Sequence, residues 1–158
     1  MASPPPSAAT DSAYTLDIPI REFARNVMLR TEGKSLKYDC LYLTESNLAG
    51  KALICYQAEL GFPLTLPELP GAVLKLQLSQ RLFYQFYRWN DADGLLVLSS
   101  FYEKTAMRIL FSWIDACTAC GKSKQQALDF AYTHFEIDEW MLPQENVLQL
   151  HKYHHHKQ

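Results

Sequence analysis

The chain has 158 residues, with 15 Lys and Arg against 17 Asp and Glu, for a net charge of −2. That balance lacks the basic excess of a duplex-binding protein, and four cysteines are too few for a disulfide scaffold. Hydrophobic residues make up 48% and no apolar run approaches the ~18 residues of a membrane span, so the composition points to a soluble, reduced, cytoplasmic protein.

The opening "MASPPPSAATDSA" is rich in proline and small polar residues and lacks both a basic n-region and an apolar h-region. It cannot bury enough apolar surface to offset its ordering entropy, so residues 1–13 are expected to be a disordered arm. Order should begin near Tyr14. "YTLDIPI" alternates Tyr14, Leu16, Ile18 and Ile20 against Thr15, Asp17 and Pro19. This is the period of a strand, and Pro19 confines it to a sheet edge. "REFARNVMLRTEG" follows as a helix that faces inward through Phe23, Val27 and Met28 and stops at Gly33.

"KSLKYDCLYLTES" alternates again, with Leu36, Tyr38, Cys40 and Tyr42 set against Lys37, Asp39, Leu41 and Leu43. We read it as a strand. The pattern then predicts a helix over 47–60, capped by Ser46 or Asn47 and stopped by Gly61 and Pro63. Beyond the proline-rich "PLTLPELPG", "AVLKLQLS" suits either a strand or the opening of a longer helix.

Helical spacing dominates from there on. Helices are expected over 80–89, 101–120, 124–135 and 143–154, with "NDADG" as a turn. Ser100 with Glu103 and Ser123 with Gln126 have capping-box spacing. Ala106, Ile109, Leu110, Trp113, Ile114 and Cys117 repeat at three and four. Pro143 suits a first helical turn. The expected fold is α+β and mostly helical, with a small N-terminal β element and a C-terminal helical half. One globular domain should span 14–150, with a His-rich tail over 151–158.

Cys117 and Cys120 have C-x-x-C spacing. Zinc needs four ligands, and His151 and His155, spaced i, i+4, would complete a Cys₂His₂ set. The local pattern favours structural thiols instead. Cys117 continues an apolar stripe and Gly121 follows as a helix stop, so the pair closes a helix. A reactive pair opens one, where the positive end of the dipole stabilises a thiolate. No metal and no cofactor is therefore assigned. "WNDADGLL" fails as a calcium loop, because Trp89 and Ser100 would fall at ligand positions. Glu136, Asp138 and Glu139 read as a solvated loop that caps helix ends, and His134 as a helix-face histidine. With no nucleophile elbow, Walker loop or G-x-G-x-x-G, no catalytic residue is assigned and the reading leans away from an enzyme.

"LFYQFYRW" carries the functional expectation. Leu82, Phe83, Phe86 and Tyr87 fill one helix face, while Tyr84 and Trp89 lie elsewhere. A helix apolar nearly all round is either deeply buried or covered by a partner. The expectation is a small interaction protein that binds a partner or itself through Phe83, Tyr84, Phe86, Tyr87 and Trp89. The alternative is a nucleic-acid accessory. It would use Arg21, Arg25 and Arg30 on phosphates and the last helix, with Gln144, Asn146, Gln149 and Lys152, on base edges. Net charge does not favour it. From 121 to 158, four Lys face five Asp or Glu.

Overall fold

The computed structural model describes residues 14–34, 40–44, 71–86 and 92–156, the side chains of Gln85, Phe86, Ala92 and Asp93 excepted. Its elements are β1 (Thr15–Ile20), α1 (Glu22–Thr31), β2 (Cys40–Leu43), β3 (Ala72–Leu78), α2 (Gln80–Phe86), α3 (Ala92–Ala119), α4 (Lys124–Phe135) and α5 (Gln144–His156). The architecture is α+β and mostly helical, with one small sheet in the N-terminal half and helices in the C-terminal half. The expected arm, the helix over 47–60 and the residues Tyr87 and Trp89 lie outside the described residues.

The sheet has the order β1-β3-β2. β1 pairs antiparallel with β3, matching Leu16 with Leu76 and Ile18 with Leu74. β2 pairs parallel with β3, matching Leu41 with Leu76 and Leu43 with Leu78. Pro19 therefore sits on an edge strand, where its missing N–H costs no central ladder bond. "AVLKLQL" is the central strand rather than a helix opening, because its period of two puts Leu74, Leu76 and Leu78 on one buried face. In β2 the inward pair is Leu41 and Leu43, leaving Cys40 half-buried and Tyr42 exposed.

α1 covers this face with Phe23, Ala24, Val27, Met28 and Leu29. It stops where Gly33 takes φ 72°, a left-handed value that glycine adopts without the Cβ penalty. There Lys34 N–H donates to Leu29 O at 2.9 Å and Gly33 N–H to Arg30 O at 3.0 Å, which closes the helix. Ser79 ends β3 and opens α2, its hydroxyl accepting from Leu82 N–H at 3.4 Å.

α3 corrects one boundary. It runs 28 residues, so Ala92, Asp93 and Gly94 of the expected turn are helical. Ser100 is buried inside this helix rather than capping it. Glu103 instead turns its carboxylate to Arg21 N–H, which donates at 3.1 Å. Apolar residues on both sides of Ser100, among them Leu98 and Tyr102, give the longer helix a continuous buried face that outweighs the cap signal. The stripe behaves as expected, with Ala106, Leu110 and Ile114 buried and Ile109, Trp113 and Cys117 partly so.

α4 occupies 124–135 as read from the sequence. Ser123 Oγ accepts from Gln126 N–H at 3.1 Å, and Gln126 Oε1 accepts from Ser123 N–H at 3.0 Å. The capping box thus satisfies two otherwise orphaned donors. The loop to α5 is tied at both ends. Tyr132 Oη donates to Leu142 O at 2.6 Å in a buried setting, and the Glu139 carboxylate accepts from Gln144 N–H at 3.1 and 3.2 Å.

Candidate functional site

Two groups of side chains carry chemistry that the core does not explain. The first is aromatic. Leu82 of α2 is buried and Phe83 half-buried, so this face packs inward. Tyr84 points away, 60% exposed. Tyr14 brings a third ring, with centroids 5.3 Å from Phe83 and 6.5 Å from Tyr84, while Phe83 and Tyr84 lie 5.9 Å apart. All three contacts are edge-on, the favoured geometry for such pairs. Elsewhere Trp140 stands 70% exposed before α5, and Leu150 and Tyr153, three residues apart, are exposed on α5. The sequence reading missed these. Leu150 with Tyr153 fits a helical face as well as any buried pair, and only tertiary packing shows which face is covered.

The second group lies where α5 meets α3. α5 runs through His156, and His151 is buried. The i, i+4 spacing turns His151 and His155 the same way, as read from the sequence, but their partner is Asp115. Asp115 Oδ1 lies 2.8 Å from His151 Nε2 and 2.9 Å from His155 Nε2, and the two Nε2 atoms are 3.0 Å apart. Side-chain exposure runs from 3% for His151 to 45% for His155 and 48% for Asp115, so the cluster has a buried wall and an open mouth. Phe111, one turn before Asp115, backs it, with its ring 5.5 Å from His151 and 5.2 Å from His154. Burial works against the Asp115 carboxylate, but the hydrogen bonds and charge of His151 and His155 outweigh it and hold the group below the ordinary carboxylate range.

Three polar atoms in mutual contact are over-subscribed. An ionised carboxylate only accepts, and each Nε2 carries at most one proton. Two protonated Nε2 atoms can both donate to Oδ1, but then they face each other as donors. Remove either proton and a ring lone pair faces the carboxylate oxygen. Every allocation leaves one edge of the triangle without attraction. His151 Nδ1, on the other side of the buried ring, has no hydrogen-bond partner among the described residues.

Cys117 and Cys120 stand apart. They are free thiols at the end of α3, half-buried and exposed respectively, and the His-containing cluster among the described residues draws on neither. Gly121 follows with φ 89°, the helix stop the sequence implied.

The nucleic-acid set is dispersed over structural roles. Arg21 lies 3.7 Å from Glu103. Burial raises the Glu103 carboxyl above its usual range, and the Arg21 N–H and guanidinium only partly offset this. Arg30 Nε donates to His134 O at 3.1 Å, and Arg25 lies beside Asn26. His134 sits on its helix face with its ring 4.9 Å from Trp113. Gln144 contacts Asp129 and Gln125, whereas Asn146, Gln149 and Lys152 are exposed on α5. Among the described residues no helix is long and apolar enough to cross a membrane.

Set against protein-family models, curated proteins and solved structures, the chain matches none of them.

Proposed function

We propose that the protein is a small cytoplasmic interaction module that binds itself or a protein partner through the aromatic stretch from Phe83 to Trp89. The observation that supports this most directly is Tyr84, which stays 60% exposed at the edge of a three-ring cluster with Tyr14 and Phe83. Large rigid rings bring contact area at low entropic cost, and Tyr and Trp are enriched among residues that dominate binding energy. Phe86, Tyr87 and Trp89 belong to the same proposed surface by their place in the sequence. The reduced thiols Cys117 and Cys120 suit a reducing compartment.

The test is molar mass by light scattering across a concentration range, for the full chain and for Tyr84→Ala. A mass that rises with concentration, and rises less in the variant, supports self-association through this surface. A strict monomer whose Tyr84→Ala variant is merely less stable would overturn it. A second reading, a nucleic-acid accessory, draws on the exposure of Asn146, Gln149 and Lys152. It predicts a steep loss of DNA affinity with salt, about 0.9 per phosphate contact on a log–log plot.

A further inference from the structure

The geometry points to a binding site for one divalent transition cation, zinc being the natural occupant, held by Asp115 Oδ1, His151 Nε2 and His155 Nε2 at the junction of α3 and α5. The site is separate from the aromatic surface and does not depend on it.

Four observations carry it. The three donors come from two elements far apart in sequence, yet all lie within 4.8 Å of one another and each pair is in contact. Two imidazole nitrogens and one carboxylate form a donor set that borderline-soft divalent ions accept, and hard ions such as calcium do not favour it. The contact edges are close as well. Donors at ~2.0–2.1 Å from one tetrahedral ion are about 3.3–3.4 Å apart, so the three atoms, 2.8, 2.9 and 3.0 Å apart here, need to part by only a few tenths of an ångström to close on it. Finally, no arrangement of protons makes all three contacts attractive, whereas one cation in front of three lone pairs does.

The ion would be neutralised in part by one carboxylate, and its remaining positions would open on the exposed side of Asp115 and His155. Water or another small ligand fills such positions in sites with three protein donors. Ligation through Nε2 puts the remaining ring proton of each neutral imidazole on Nδ1. Among the described residues His151 Nδ1 finds no partner for that proton, the outer hydrogen bond that normally orients a ligating histidine. The ion would also tie α5 to α3, since α5 otherwise buries only Val147 beside His151.

The decisive experiment is calorimetric titration of the full chain with zinc chloride, with cobalt(II) absorption as a second readout. Exposed His156 and the neighbouring His154 make a control essential, because histidine-rich segments bind metal without a built site. One equivalent of zinc is expected. Affinity should fall at least tenfold in Asp115→Asn and in His155→Gln, both at exposed positions outside the hydrophobic core. It should be unchanged in His154→Gln with His156→Gln, and in Cys117→Ser with Cys120→Ser. Cobalt(II) should show ligand-field bands without a thiolate charge-transfer band. The proposal is overturned if Asp115→Asn binds as tightly as the unaltered chain. It is equally overturned if the His154/His156 variant or the cysteine variant abolishes binding.

Discussion

Leucine and isoleucine side chains close the inner face of the sheet, with Leu16, Leu41 and Leu76 meeting across three strands and no polar atom among them. The contact between α3 and α5 is built otherwise. α5 buries Val147 and a histidine, and its outer turns are held by an aspartate and two imidazoles near water. Apolar burial offers no charge to titrate and no atom to coordinate, whereas a polar cluster at a surface responds to pH and metal and is screened by salt. The two regions should therefore fail under different conditions, and substitutions can separate them.

The largest effect belongs to the sheet. Leu76→Ala leaves a cavity under both flanking strands and should cost ~2–5 kcal/mol of unfolding free energy in urea denaturation. Smaller, and confined to the C-terminal half, is Tyr132→Phe. It leaves the Leu142 carbonyl without its buried donor and should cost about 1–3 kcal/mol by the same method. Ser123→Ala removes one arm of the α4 capping box and should cost about 1 kcal/mol.

Acid provides the gentlest probe. The folded Asp115 carboxyl titrates below its ordinary value, so its stabilising contribution is complete above the unfolded value near ~3.9. It is lost as pH falls through the lower folded value. Circular dichroism and tyrosine fluorescence should accordingly show loosening of α5 in that acid window. If a metal is bound, loosening should begin at higher pH, because imidazoles must be neutral to ligate it.

What the sequence disclosed follows the range of the interactions involved. The edge strand with Pro19, the stop at Gly33, the box at Ser123 and the stripe from Ala106 to Cys117 are local, and periodicity or turn chemistry reveals them. Ser100 misled because a cap signal and a continuing apolar face compete, and packing of Leu98 and Tyr102 decided between them. The pairing of His151 with His155 was legible because one helix turn aligns them. Asp115 was not, since 36 residues separate it from His151 and only the docking of α5 on α3 joins them. In "WIDAC" it reads as an ordinary polar position beside an apolar stripe.

Amide hydrogen exchange of the full chain and of Asp115→Ala tests the contrast most directly. Removal of the shared carboxylate should speed exchange at α5 amides from Val147 to His156 and leave β3 amides from Leu74 to Leu78 protected as before. Equal loss of protection in both regions, or undiminished protection of α5, would contradict the account.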